Sequence, residues 1–279
     1  MPEGDSLHLV AKHLAPRLTG KEVRGLELVR RTESTDGLVG QSITGVEARG
    51  KNLLVHFAGG LSLHVHLKMN GRIFVCRQEE GRRPRPETVV VLDTDEHRVI
   101  VDHAPIARLI RKRDLIRDLH FRHLGPDLIA DGFDLEEALL RLRLRKEMPL
   151  GEALLDQSAV AGIGNVWKSE LCFNLRLDPF APVAAATEDE LRALLAMARK
   201  LMVATVERPQ RRLPDPFAPR EGQRHARLNH RHGQKRLSVY ERVGERCYDC
   251  GSVILVKTQG EQLRGTYYCP TCQPSRRPA

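Results

Sequence analysis

The chain has 279 residues, 41% of them hydrophobic and 29% charged, enough length for two folded units and far from the apolar poverty of a disordered protein. No apolar run approaches the ~18–20 residues that span a bilayer, and the opening Met-Pro-Glu-Gly-Asp carries acids where a signal peptide carries positive charge, so a cytoplasmic protein without a membrane partner is expected. Lys and Arg number 45 against 36 Asp and Glu, a formal charge of +9 that attracts polyanions, with nucleic acid the leading partner.

The first element expected is an amphipathic helix over 5–18, where Leu7, Val10, Ala11, Leu14 and Leu18 recur at three and four and Gly4-Asp5 offers an N-cap. Short Val, Ile and Leu-rich segments follow at 22–31, 42–48, 52–57, 61–67, 72–76, 88–93 and 97–101, separated by turn residues. That spacing predicts an antiparallel β-sandwich filling 1–122, with Arg82-Arg83-Pro84-Arg85-Pro86 as a loop. Leu124-Gly125-Pro126-Asp127 opens a hinge over 123–133, after which the pattern turns helical.

Asp134 with Glu137, and Thr187 with Glu190, have the spacing of capping boxes and predict helices near 134–145 and 188–206. Shorter helices fit 149–156 and 164–174. A long loop over 207–238 with four prolines closes a helical domain of 134–238. Between Arg208 and Arg236 this loop holds nine Lys or Arg, three His and two acids, which concentrates the basic excess. Aromatics are only 4%, too few for the stacking platforms of single-strand binders.

The most specific motif is Cys247-x2-Cys250, eighteen residues, then Cys269-x2-Cys272, the spacing of a four-cysteine zinc site in a C-terminal module of 239–279. A redox pair and chance spacing are the alternatives. A closed thiolate shell makes one structural zinc the expected cofactor, holding a hairpin over 253–268 that carries Arg264. Ala161-Gly162-Ile163-Gly164-Asn165 precedes a helix and is either a tight turn or a loop whose N–H groups meet a phosphate, with Asn165 adding a side-chain bond.

At the other end, loss of Met1 would leave Pro2 with a secondary amine of pKa near ~8, partly neutral and nucleophilic at pH 7, with Glu3 beside it as a proton carrier. Lys51 stands where a turn enters an apolar strand, able to face a ligand or plain solvent. Met69 falls before Asn70-Gly71 at an expected hairpin tip, a wedge for a base stack or else core filler.

Together, the Pro-Glu-Gly-Asp start, Arg49-Gly50-Lys51, His66-Leu67-Lys68-Met69-Asn70-Gly71, Leu124-Gly125-Pro126-Asp127, the run Asp156 to Asn165 and the paired cysteines resemble the formamidopyrimidine-DNA glycosylase / endonuclease VIII family. The Glu-Gly-Asp opening resembles its endonuclease VIII branch. The resemblance implies a multi-domain α+β fold: an N-terminal antiparallel β-sandwich with flanking helices, a helix-two-turn-helix domain, and a zinc-finger β-hairpin. It implies a monomer in the nucleoid-bearing cytoplasm that binds duplex DNA carrying a damaged base or abasic site. It assigns Pro2 as nucleophile, Glu3 as acid/base partner, Lys51 as a phosphate contact that supports catalysis, Asn165 and Arg264 as phosphate clamps, and Met69 as the wedge.

The activity implied is that of a bifunctional glycosylase and abasic-site lyase, with oxidised pyrimidines favoured. A purine-directed enzyme of the formamidopyrimidine type and a non-catalytic damage binder remain as alternatives. Two departures stand out: Asp5-Ser6 replaces a second glutamate, and Asp102-His103-Ala104-Pro105-Ile106-Ala107 lacks the Arg and Phe that accompany the wedge.

Overall fold

The computed structural model describes residues 2–29, 34–35, 37–207 and 237–276. The basic loop between Arg208 and Arg236 therefore lies outside the described residues, as does Met1. The chain forms two compact units, one built on Met1–Arg122 and the other on His123–Ala204 with the C-terminal module.

The first unit opens with α1 (Gly4–Leu18), whose Leu7, Ala11, Leu14 and Leu18 form the buried stripe its periodicity predicts. The helix starts one residue early. Gly4 and Asp5 are already helical, and Glu3, with extended backbone, takes the cap position.

The strands are β1 (Gly25–Leu28), β2 (Ile43–Arg49), β3 (Asn52–Phe57), β4 (Leu61–His66), β5 (Arg72–Arg77), β6 (Thr88–Asp93), β7 (His97–Asp102) and β8 (Ile106–Arg111). They make two four-stranded sheets, in the orders β1-β6-β7-β5 and β2-β3-β4-β8, all antiparallel. Their apolar faces and the stripe of α1 share one core, with Leu53, Val55, Leu63, Val65, Val90, Leu92 and Val99 at its centre.

Two expectations need correction. Strand β8 is not among the expected segments: Ile-Ala-Arg-Leu-Ile-Arg does not alternate, and Arg108, which looks like a solvent residue, is half-buried and bonded to Asp118. Met69 is not at a hairpin tip. The strands on either side of it, β4 and β5, belong to different sheets, so the 67–71 segment is the crossover that carries the chain from one layer to the other.

The second unit holds α2 (Leu135–Arg143), α3 (Leu150–Leu155), α4 (Asn165–Asn174) and α5 (Glu188–Glu207), then the hairpin β9 (Leu255–Gln259) and β10 (Arg264–Tyr268). Thr187 and Glu190 form a reciprocal capping box for α5, each side chain accepting from the other's backbone N–H. At α2 only half of the box forms: Asp134 accepts from Glu137 N, while the Glu137 carboxylate turns to Arg141. Residues 125–130 are tied into this unit, since Gly125 N donates to Gln157 O at 2.8 Å and the Arg199 guanidinium donates to the carbonyls of Leu128 and Ala130.

Candidate functional site

In the β-rich unit the chain start is organised by α1. Glu3 caps the helix with extended backbone and is 3% exposed, with Pro2 immediately ahead of it. Asp5 is equally buried and occupies the first turn, where the helix dipole favours negative charge.

Lys51 occupies the two-residue turn of the β2–β3 hairpin, in which Arg49 pairs with Asn52 and Gly50 adopts φ +56°. α1 packs on both of these strands, so one scaffold carries Pro2, Glu3 and Lys51. The turn is braced from beneath. The buried Asn52 amide donates to Arg49 O at 3.0 Å, and its oxygen faces His64 Nε2 at 2.9 Å. His64 Nδ1 in turn accepts from Arg108 Nε at 3.3 Å, and Arg108 grips Asp118 with two bonds of 2.7 and 2.8 Å.

Because its Nδ1 accepts, His64 must be neutral with the proton on Nε2. Burial first, then the Arg108 charge, pushes its pKa down to about 3. Burial and the nearby Lys51 likewise bring His66 down to about 4. Lys51 thus has a neutral imidazole, His66, for a neighbour.

Met69 is 53% exposed in the crossover between sheets. Arg72 pairs with Asp102, so the 103–105 loop, where the Arg and Phe are missing, emerges at the same sheet edge.

In the helical unit the glycine loop is held by hydrogen bonds from the residues before it. Gly162 has φ +109°, a conformation closed to side-chain-bearing residues. Its N–H donates to Gln157 Oε1 at 3.1 Å, and the same amide donates to Ile163 O at 3.1 Å. Asp156 holds the preceding turn: burial opposes its charge, but bonds from Ser158 and Arg145 keep it below the ordinary carboxylate range. Gln157 and Asp156 were legible only as members of a motif, not by what they bond.

The loop delivers Gly164 as the cap of α4, whose first turn contains no acid, leaving its N–H groups suited to an anion. Asn165 Nδ2 donates to Gly265 O at 2.7 Å, which seats Asn165 against the residue next to Arg264. Its Oδ1 is buried with no hydrogen-bond partner. Arg264 is held in turn by Gln262, whose Oε1 accepts from Nε and Nη2 at 3.2 and 2.8 Å. Positions 165 and 264 are therefore brought together across almost a hundred residues.

The four cysteines also converge. Their Sγ atoms all lie within 4.8 Å of one another, with 3.8 Å between Cys247 and Cys272 and 3.4 Å between Cys250 and Cys269. A tetrahedron with metal–sulfur bonds of about 2.3 Å needs sulfurs about 3.8 Å apart, so the set fits a metal ion. Cys247 and Cys269 pack with Phe173 of α4, Val239 and Ile254, which joins the cysteine module to the helices.

The chain matches the formamidopyrimidine-DNA glycosylase N-terminal domain over residues 1–105 and the formamidopyrimidine-DNA glycosylase H2TH domain over residues 124–214. With the β-sandwich, the glycine-capped helix and the four-cysteine hairpin, this defines the class: a DNA-binding repair glycosylase and lyase. It is 37% identical to probable endonuclease 8 2 of Streptomyces coelicolor, over 100% of this chain and 96% of that protein. It is 33% identical to the DNA-(apurinic or apyrimidinic site) lyase Nei2 of Mycolicibacterium smegmatis, over 98% of this chain and 99% of that one.

The chain thus belongs to the formamidopyrimidine-DNA glycosylase / endonuclease VIII family, as a DNA glycosylase with abasic-site lyase activity in base excision repair. Its fold matches Lactococcus lactis formamidopyrimidine-DNA glycosylase bound to abasic-site DNA, with a TM-score of 0.79 at 20% identity over 98% of this chain and 100% of the other. Among the described residues no helix is long and apolar enough to cross a membrane.

Proposed function

We propose that the protein removes oxidised bases, pyrimidines by preference, from duplex DNA and then cuts the strand by β- and δ-elimination. The observation that carries this reading is the pairing of Pro2 with a buried acid, Glu3, at the cap of α1. The damaged nucleotide leaves the stack at a cost of a few kcal/mol, least for a damaged base. The Pro2 nitrogen attacks the sugar C1′ as the C1′–base bond breaks, the base leaving with its electron pair and taking up the proton that the newly bonded nitrogen gives up. Glu3 delivers a proton to the ring oxygen as the sugar opens, giving an iminium at C1′. That iminium withdraws electrons from the C2′–H bond. Loss of the C2′ proton expels the 3′ phosphate, and a second elimination releases the 5′ phosphate. Lys51 contacts phosphate near the reacting sugar.

Asn165 and Arg264 hold the DNA backbone and leave base identity to other residues. Met69 enters the space left by the displaced base. Cys247, Cys250, Cys269 and Cys272 would hold one zinc ion, whose contribution is structural: it fixes the hairpin on which Arg264 stands. In domain terms, 1–122 is catalytic, 134–238 binds DNA through its helices and basic loop, and 239–279 is the zinc finger. The protein acts as a monomer on nucleoid DNA in the cytoplasm.

The preference for pyrimidines rests on the Glu-Gly-Asp opening and on the higher identity to an endonuclease 8 than to a formamidopyrimidine-DNA glycosylase, 37% against 30% for the Chloroflexus aurantiacus protein. Single-turnover excision from matched duplexes carrying thymine glycol or 8-oxoguanine tests it. Faster release of thymine glycol is expected, and faster release of 8-oxoguanine would transfer the protein to the purine-directed class.

A further inference from the structure

The proposed reaction makes no use of Lys168, yet it is a fully buried side chain, 0% exposed in the second turn of α4. Taking an ammonium out of water costs several kcal/mol unless good hydrogen bonds offset it. The location adds to that cost, because a cation near the N-terminal end of a helix opposes the dipole. A hydrophobic side chain there would be the simpler way to fill the core.

The partners of Lys168 show what its burial achieves. Nζ donates to Thr266 Oγ1 at 2.6 Å, and that hydroxyl donates to Gln259 Oε1 at 2.6 Å. Gln259 Nε2 then donates to Pro179 O at 2.8 Å. Thr266 is 0% exposed and Gln259 is buried, so the chain of bonds runs through the interior from α4 to both strands of the hairpin. Room for it is reserved at Gly151 of α3, where a Cβ would fall 2.5 Å from Gln259 Oε1.

The same helix face makes two more contacts with β10, at the residues on either side of Thr266. Asn165 Nδ2 donates to Gly265 O at 2.7 Å, and Tyr267 N approaches Ser169 Oγ at 3.4 Å. Positions 165, 168 and 169, one above another on α4, therefore engage 265, 266 and 267 in order. Arg264 is the next residue along the strand.

We infer that Lys168 is a positioning residue for DNA binding: through Thr266 and Gln259 it locks β10 in register on α4, so that Asn165 and Arg264 act on the phosphate backbone as one rigid unit. This rests on the reading of those two residues as phosphate contacts. Its charge, set behind the anion-accepting end of α4, is also balanced best when a phosphate is bound there.

The test uses the full-length protein and a duplex containing a tetrahydrofuran abasic analogue for affinity, with an abasic duplex for turnover. Lys168→Met should raise Kd and KM about tenfold while kcat changes less than about twofold. Thr266→Val should reproduce that loss, and Thr266→Ser, which keeps the hydroxyl, should restore affinity. In an Arg264→Ala background the Lys168→Met effect should shrink below about twofold, because the unit it aligns is already broken.

A lowered melting temperature with unchanged KM in both Lys168→Met and Thr266→Val would overturn the inference, as would full additivity with Arg264→Ala. If Lys168→Met does not fold, the Thr266→Val and Thr266→Ser pair decides. Should Arg264→Ala alone leave affinity unchanged, the phosphate reading itself fails; should it weaken binding while Lys168→Met does not, only the role of Lys168 falls.

Discussion

In the β-rich unit, Pro2, Lys51 and Met69 stand where the backbone leaves a helix or a sheet, and the core beneath them decides their placement. In the helical unit, Asn165, Arg264 and the four cysteines are tied by contacts among α4, the hairpin and the cysteine turns themselves. The difference follows from what each region has to do. On the proposed reading, a group that works beside the reacting sugar needs open space and a braced turn, as the Asn52–His64–Arg108–Asp118 chain gives to Lys51. On the same reading, groups that hold the DNA backbone need fixed spacing from one another, and the buried Lys168 and the metal-competent thiol cluster supply it.

The sharpest way to break this division is to remove one group on each side and ask whether chemistry and binding separate. Glu3→Gln should lower the rate of base release by about 10²–10⁴-fold at saturating DNA while Kd for an abasic-analogue duplex stays within about twofold. A comparable loss of affinity would mean that Glu3 belongs to binding. Next in size, Cys250→Ser or removal of metal by a chelator should cost more DNA affinity than loss of Arg264 alone, because the whole hairpin is unsettled. The β-sheet circular dichroism of the first unit should survive either treatment.

Arg264→Ala should weaken binding to every lesion by a similar factor and make the logarithmic salt slope shallower by about one unit. Asn165→Ala removes a neutral donor and should leave the slope nearly unchanged. It should also lower the melting temperature of the helical unit, since the bond to Gly265 O, worth about 1 kcal/mol, is lost with it.

Acid should separate the units more gently. His64 has its pKa lowered from 6.5 to about 3 in the folded state, so the unfolded chain takes up a proton that the folded one refuses. Its contribution is present above pH 6.5 and is lost as pH falls toward about 3, on the order of a few kcal/mol. Asp156 and Glu190 of the helical unit lie below their ordinary 3.8 and 4.5, and their contribution is lost only as pH falls beneath those values. Sheet dichroism should therefore weaken at a higher pH than the fluorescence of Trp167, the single tryptophan. A His64→Gln variant should flatten the first curve, and coincident curves in the unaltered protein would contradict this assignment.

How much of this the chain revealed beforehand varied with the range of the interactions. Strands β3 and β6 are local patterns of alternating or continuous apolar residues, and both were legible to their end residues. The cysteine spacing carries its own geometry, because two short turns and one hairpin bring the thiols together. Strand β8 was hidden because Arg108 looks like a solvent residue until its partners His64 and Asp118 are known. Met69 was misplaced because Asn70-Gly71 signals a hairpin, whereas sheet membership is set by pairing with distant strands. Lys168 drew no expectation from its Trp-Lys-Ser run, because nothing local announces that Thr266 will cover it. Glu170 escaped notice for the same reason: its carboxylate accepts from the N–H groups of Ser238, Val239 and Tyr240.

The central claim is that the amine at the start of the chain performs the chemistry in the β-rich unit. Borohydride reduction during reaction with an abasic duplex, followed by peptide mapping of the cross-linked product, tests it most directly. The account predicts one covalent adduct, on the nitrogen of Pro2 with Met1 absent, and no adduct when a residue is added ahead of Pro2. An adduct mapping to Lys51 would contradict it.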